Sequence, residues 1–283
     1  MAAQTKHGVL LDAPRRFAIP QIIWMGLFVV APIILIFVYA FSNTLGEFTF
    51  SNFEAMYIFI PVFARSFLLA FIATVICIIV GYPVAYILAK EGLRLQRIML
   101  MLIMLPMWMN FLLRTYAWMS ILENTGLLNR LLTFIGLPAL RIINTPTAVI
   151  IGMVYNFLPF MVLPIYTALT KMDKRIIEAA QDLGASPGNV FLRVIFPLSM
   201  PGVVSGITMV FMPAAATFII PNLLGGGQFF LLGNLVEQQF LLVGNWHFGS
   251  AVAVVMMVLM LVSTFILSRF DRQEEASEGG MRL

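Results

Sequence analysis

MDKRIIEAAQDLGASPGNVFLRVIFPLSMP, residues 172–201, is the stretch on which the interpretation of the whole chain depends. It carries charge at high density between two apolar runs, each long enough to cross a lipid bilayer. Asp173 is suited to cap a first short helix, and Gly184 is suited to the left-handed residue that ends it. Ser186 and Pro187 then supply a cap and a first helical residue for a second helix. The pattern predicts a rigid two-helix segment, called the elbow below.

The first helix of the elbow is predicted to be amphipathic. One side is apolar at helical spacing, with Met172, Ile176, Ala180 and Leu183. Glu178 and Asp182 share a different, acidic side. Two interpretations fit this pattern: the segment lies on a membrane surface, or another protein binds it.

The composition predicts an integral membrane protein. Hydrophobic residues make up 61% of the chain and charged residues 11%, against roughly 45–50% and 25% in soluble domains. Six apolar segments have the ~20 residues that a membrane-crossing helix needs. They lie at about 17–42, 66–89, 98–121, 147–170, 202–221 and 248–268. We therefore expect an all-α membrane protein with six transmembrane helices.

This pattern divides the chain into a polar segment 1–16, a membrane domain 17–270 that contains the elbow, and a polar tail 271–283. The first apolar run exceeds the ~7–15 residues of a signal-peptide core, so we interpret it as an uncleaved span. Residues 127–135 are too short to cross and are predicted to form an interfacial helix. Gly202 and Gly206 permit close helix packing.

The distribution of lysine and arginine predicts the orientation in the membrane. With a cytoplasmic N-terminus, every Lys and Arg falls on the cytoplasmic side except Arg65, Arg114, Arg130 and Arg141. Both termini and the elbow are then cytoplasmic. The net charge of +4 is accordingly a topology signal, and it does not indicate nucleic-acid binding.

The elbow resembles the EAA loop of ABC-importer permeases, whose pattern is E-A-A-x3-G-x9-I-x-L-P. The matching residues are Glu178, Ala179, Ala180, Gly184, Val194, Phe196 and Pro197. Val194 and Phe196 depart from the pattern but keep its apolar character. The resemblance implies that these residues form a coupling helix in a cleft of a separate ATP-hydrolysing subunit.

A wider resemblance covers about residues 17–270. GYPVAYILAK (81–90), LLRTYAWMSIL (112–122), LPFMVLPIYTAL (158–169) and EAAQDLGAS (178–186) are similar to permease subunits of spermidine/putrescine ABC importers. The resemblance implies a type I importer permease in a bacterial inner membrane. It also implies ATP-binding cassette subunits, an extracytoplasmic solute-binding protein, and a second permease subunit, with a paralogue favoured over a copy. Permeases for other small solutes share the loop, so another solute stays open.

Polar residues within the spans are candidates for the solute path. Asn110, Arg114 and Trp118 recur at every fourth residue and would share one face of the third span. Tyr155 lies near the middle of the fourth span. Each has a structural alternative: Arg114 can snorkel outward or bind carbonyls freed by a proline, and tyrosines often serve packing.

The outer loops contain a second set of candidates, Glu123, Glu237 and Trp246. Residues 222–247 lack lysine and arginine, which would suit a cationic solute through ion pairing and cation–π attraction. The bias of positive charge toward the cytoplasm would empty this loop of basic residues as well.

Sequence motifs exclude several activities. No G-x-x-x-x-G-K-[ST] loop is present to hold ATP phosphates, and neither histidine lies in an H-E-x-x-H motif. We therefore expect no enzyme activity, no metal and no cofactor in this chain. A self-contained secondary transporter is the alternative, but no Asp, Glu or His lies deep in a span to couple ions.

Overall fold

The computed structural model describes residues 20–279, with side chains up to residue 266. The predicted segment 1–16, with Lys6, Arg15 and Arg16, lies outside the described residues. Those described form helices and one isolated bridge between Ser42 and Phe48. The helices are α1 (Pro20–Ala40), α2 (Ile60–Lys90), α3 (Leu93–Trp108), α4 (Phe111–Leu122), α5 (Leu127–Phe134), α6 (Pro146–Lys171), α7 (Lys174–Asp182), α8 (Phe196–Ala216), α9 (Ile219–Leu224), α10 (Leu232–Glu237) and α11 (Trp246–Gly279).

Five helical stretches are long and apolar enough to cross a membrane: Pro20–Ala40, Ser51–Lys90, Pro146–Lys171, Pro187–Ala216 and Trp246–Ile266. A sixth crossing is obtained if the pair α3 and α4–α5, which is sharply bent, counts as one span. The predicted interfacial helix is present as α5 (Leu127–Phe134). The last helix continues past the apolar segment and includes most of the polar tail.

The contacts divide the chain into two units. The first combines the described part of Met1–Ile58 with Gln238–Met257. Its helix α1 exposes nearly every side chain. After α1, the Asn52 amide donates hydrogen bonds to the carbonyls of Ala40 and Ser42, both at 3.0 Å. These bonds hold the turn that follows the first span.

The second unit, Phe59–Glu237 with the described part of Val258–Leu283, has a core in which α2, α6 and α8 pack against one another. Small residues allow this approach. A Cβ on Gly202 would lie 2.7 Å from the Pro164 carbonyl oxygen, and one on Gly206 would lie 2.7 Å from the Met161 sulfur. The packing role predicted for the two glycines of α8 is confirmed.

Widened π turns precede two of the prolines. Among the described residues, Gly26–Val30 lies just before Pro32, and Phe191–Ile195 lies just before Pro197. Proline lacks an N–H, and its ring crowds the carbonyl four residues earlier, which lies inside the π turn in both cases. The wider turn accommodates the ring without ending the helix.

The third predicted span, 98–121, is not one helix. Helix α3 ends at Trp108, Met109 is extended, and α4 begins at Phe111 after a bend of 95°. The Asn110 side chain accepts hydrogen bonds from the backbone N–H groups of Leu112 and Leu113, so it caps α4. The prediction that Asn110 shares a helical face with Arg114 and Trp118 is therefore wrong.

The fifth predicted span, 202–221, is displaced. The helix runs through Pro187–Ala216, and the chain breaks at Thr217 and Phe218 before α9. The break places Pro221 in the first turn of α9, where no intrahelical bond needs its N–H. Continuation of α8 would have put the proline ring against the carbonyl of Thr217.

Candidate functional site

The caps that the sequence predicts for the elbow are all present. The Asp173 carboxylate accepts from the Arg175 N–H at 3.0 Å. Gly184 has φ +81°, its N–H donates to the Gln181 carbonyl, and the Ala185 N–H donates to the Ala180 carbonyl. This pair of bonds is a Schellman ending of α7. Ser186 then caps the helix that Pro187 begins.

The elbow exposes two residues of the apolar stripe predicted for it, and the other two, Met172 and Ala180, are half-buried. Leu183 is 89% exposed and Ile176 47%, although leucine and isoleucine are usually among the most buried residues. Glu178 and Ala179 are exposed beside them. A cavity of about 350 Å³ lies next to this stripe, and its lining includes Ala180, Gly184 and Val194. Three of the motif residues thus surround one hollow on the elbow surface.

Phe196 and Pro197 lie where the elbow enters the membrane helix α8. The Phe196 N–H donates to the Phe191 carbonyl and closes the π turn. A second cavity of about 610 Å³ lies between the elbow and the turn that joins α2 to α3. Lys90, Glu91 and Glu178 contribute to its lining. The motif glutamate therefore borders this second cavity.

Gln96 is a polar residue of this region that the sequence analysis missed. Its side-chain carbonyl accepts from the Tyr166 hydroxyl at 3.0 Å, and its amide donates to the Glu91 carbonyl at 2.8 Å. It ties the α2–α3 turn to α6. The sequence signal that could have identified Gln96 is a neutral polar residue at the start of an apolar helix.

Arg114 is buried in α4, with 8% of its surface exposed. Its Nε and Nη1 atoms have no hydrogen-bond partner in the part of the chain that the structure describes. The guanidinium carbon lies 5.6 Å from the centroid of the Phe111 ring. Neither of these two nitrogens binds a carbonyl freed by a proline, which is one structural alternative for this residue.

Trp118 and Tyr155, predicted separately, are in contact. Their ring centroids are 5.2 Å apart in an edge-to-face arrangement. They line a cavity of about 270 Å³, together with Ile76, Ile150, Ile151 and Val154. This hollow has an apolar lining, to which α4, α6 and Ile76 of α2 contribute.

The outer-loop candidates lie in different local environments. Glu123 follows the end of α4 and is exposed. Glu237 accepts a hydrogen bond from the Asn222 amide at 3.0 Å, and the Asn222 carbonyl oxygen accepts from Asn234 at 2.6 Å. The Glu237 carboxylate is therefore part of a hydrogen-bonded chain.

Trp246 belongs to the first unit. With Tyr39 and His247 it lines a cavity of about 550 Å³. The His247 Nδ1 atom lies 3.1 Å from the Tyr39 carbonyl oxygen and 3.3 Å from the Ser42 hydroxyl. Trp246, one of the outer-loop candidates, therefore borders a cavity with Tyr39 of α1.

The known proteins to which the chain is similar are ABC-importer components. Residues 78–274 match the family described as "Binding-protein-dependent transport system inner membrane component". The spermidine/putrescine transport system permease protein PotB of Haemophilus influenzae is 40% identical over 263 residues, covering 88% of this chain and 91% of the relative. PotB of Escherichia coli K12 is 38% identical over 259 residues, covering 88% and 94%.

Solved structures show the same fold at low identity. A chain of a bacterial alginate ABC transporter, in complex with an alginate pentasaccharide-bound periplasmic protein, has a TM-score of 0.79 at 16% identity and covers 95% of this chain and 96% of its own length. A chain of the MetNI methionine ABC transporter has a TM-score of 0.58 at 18% identity, covering 78% and 97%. The resemblance to importer permeases is confirmed. The chain belongs to the family of binding-protein-dependent transport system inner membrane components, and it is a multi-pass ABC-importer permease with the type I fold.

Proposed function

We propose that this chain forms one half of the solute path of an ABC importer and that its elbow docks into a separate ATP-hydrolysing subunit. The single observation that carries the proposal is the exposed stripe of the elbow, where Leu183 is 89% exposed. Its neighbours Ala180 and Gly184 line a hollow that a partner can fill. Burial of such apolar surface by a partner is favourable, because it removes the surface from water.

The elbow, both termini and the ATPase lie on the cytoplasmic side. The distribution of lysine and arginine supports this orientation. A second permease subunit, a paralogue rather than a copy, completes the path, and an extracytoplasmic binding protein delivers the solute. The alginate transporter, which has the same fold, was solved with a periplasmic protein.

The solute is a polyamine, spermidine or putrescine. Relatives of that name match at 38–40% identity over 88% of this chain. Trp118, Tyr155 and Trp246 offer aromatic faces, and Glu123 and Glu237 offer carboxylates, which are groups that attract an ammonium ion. Arg114 would repel the same cation, which suits a barrier that keeps the path closed to cations at rest.

Coupling follows from differential affinity. The ATPase dimer with bound ATP must bind one permease conformation more tightly than the other, since a ligand shifts an equilibrium only by that difference. The elbow is the element through which the ATPase distinguishes the two conformations. The partner subunit hydrolyses ATP, and the membrane helices of this chain change conformation to open and close the solute path.

The proposal is tested by reconstituting the complete complex in vesicles with its binding protein. We expect ATP-dependent uptake of spermidine or putrescine, and stimulation of ATP hydrolysis by the loaded binding protein. Glu178→Ala should reduce coupled uptake while the chain stays folded. ATP-independent uptake by this chain alone would contradict the importer role. Stimulation only by an unrelated small solute would contradict the polyamine assignment and leave the importer role standing.

A further inference from the structure

A ladder of side chains on α2 faces the π turn where the elbow enters α8. Tyr82, Tyr86 and Lys90 follow one another at every fourth residue and share one face of α2. The Tyr86 ring lies 5.2 Å from the ring of Phe191, the first residue of the π turn. The Lys90 ammonium lies 4.1 Å from the Tyr86 ring centroid. The ladder therefore joins α2 to the start of the π turn.

Tyr82 also contacts residues that follow the π turn. Its ring lies 5.8 Å from that of Phe191 and 5.6 Å from that of Phe196. Its hydroxyl lies 2.8 Å from the hydroxyl of Ser199, which is fully buried. One side chain of α2 thus contacts both ends of the same turn.

The direction of the hydrogen bond follows from the single proton of serine. The Ser199 hydroxyl donates to the Phe196 carbonyl at 2.9 Å, so its oxygen is left to accept from Tyr82. The result is a chain from the Tyr82 hydroxyl through Ser199 to the backbone of Phe196. Such a bond is strong where water is excluded, and its donor and acceptor are costly to leave unpaired.

The π turn is the point at which regular α-helical bonding is interrupted between the short helices of the elbow and α8. Pro197 removes a backbone donor, and the wider turn has replaced the regular helical bonding there. A displacement of the short helices of the elbow would bend the chain at this turn, unless another element holds the two ends of the turn together. Tyr82 is placed to do so, because it contacts Phe191 before the turn and Ser199 after it.

We propose that Tyr82 is a positioning residue that carries the motion of the elbow across the π turn to α2, through its hydrogen bond to Ser199 and its contact with Phe191. This role rests on the proposed function, because it assumes that an ATPase moves the elbow. A residue with a packing role alone would affect stability and assembly without changing how much solute moves for each ATP hydrolysed.

The test is Tyr82→Phe in the complete complex, with uptake and ATP hydrolysis measured in the same vesicles. The variant keeps the ring and removes the hydroxyl. We expect uptake per ATP to fall by about two- to tenfold, the factor that one hydrogen bond supplies, while ATP hydrolysis persists. Tyr57→Phe makes the same chemical change at a side chain that is 70% exposed and should leave the ratio unchanged.

Ser199→Ala removes the same bond from the other side, together with the bond from Ser199 to the Phe196 carbonyl, and should give a fall at least as large. The double variant should be no worse than Ser199→Ala alone, because the bond that Tyr82→Phe removes is already absent there. Effects that add in the double variant, an unchanged ratio in Tyr82→Phe, or an equal fall of uptake and hydrolysis would each overturn the positioning role. If the unaltered complex shows no ATP-dependent uptake, the proposed function fails as well.

Discussion

The elbow and the third predicted span each contain a break between two helices, yet the two breaks have different origins. In the elbow, Gly184 adopts φ +81° and Ser186 caps the next helix. In the third span, no glycine marks the break, and Asn110 caps α4 from within a continuous apolar run. The first break has residues that favour it in any context. The second depends on one side-chain cap and on the surrounding helices.

The two regions also differ in the environment of their charged side chains. The charged side chains of the elbow are exposed, so water satisfies them. Arg114, one turn after Asn110, is buried with two nitrogens unpartnered among the described residues. The charges of the elbow are therefore hydrated, whereas α4 holds a charge with two nitrogens that no group in the described part of the chain binds.

The largest effect is expected for Arg114→Met. A buried polar group without a partner costs about 1–3 kcal/mol, and more when charged, so its removal should raise the thermal stability of the purified complex. Arg130→Met is the control, since Arg130 is exposed and donates to the Thr125 carbonyl at 3.1 Å. Thermal unfolding in detergent measures both. A lower midpoint for Arg114→Met would mean that the assembly supplies a partner for the guanidinium.

Gly184→Ala tests the break of the elbow. A Cβ at a left-handed residue costs about 1–2 kcal/mol, which is a factor of about 5–30 in an equilibrium. We expect the affinity for the ATPase subunit to fall by about that factor, because the second helix of the elbow is redirected. Gly188→Ala adds the same methyl group in open space at a residue without positive φ. Equal affinities in the two variants would mean that the angle of the elbow is unimportant for docking.

Asn110→Ala tests the break of the third span. Loss of a helix cap costs about 0.5–2 kcal/mol, so the midpoint of thermal unfolding should fall. Asn110→Ser keeps a side-chain oxygen at the cap and should restore most of the loss. If alanine is tolerated as well as serine, packing alone maintains the 95° bend.

Asp173→Ala should have the smallest effect. Asp173 is exposed and makes one cap bond, at 3.0 Å, so we expect a loss near the lower end of the capping range, about 0.5 kcal/mol. Asp173→Asn retains the acceptor and serves as the control. A loss larger than that of Asn110→Ala would reverse the order of the two breaks in this comparison.

Local chemistry explains which features were predictable. The spans at 17–42, 66–89, 147–170 and 248–268 agree with observed helices, because length and apolar composition suffice to identify them. The fifth predicted span differs from the observed helix because Pro221 lies inside the apolar run and favours a new helix start. The third differs because Asn110 is an effective helix cap, and its spacing to Arg114 and Trp118 does not reveal that.

The amino-acid sequence alone determined the elbow, with its caps, its motif residues and its apolar stripe, because these depend on the preferences of neighbouring residues. The tertiary structure decided the rest. Only folding brings Tyr82 to Ser199, 117 positions away, and Trp118 to Tyr155. Such contacts depend on how whole helices pack, and the uniform apolar character of membrane segments leaves that packing undetermined at the level of sequence pattern.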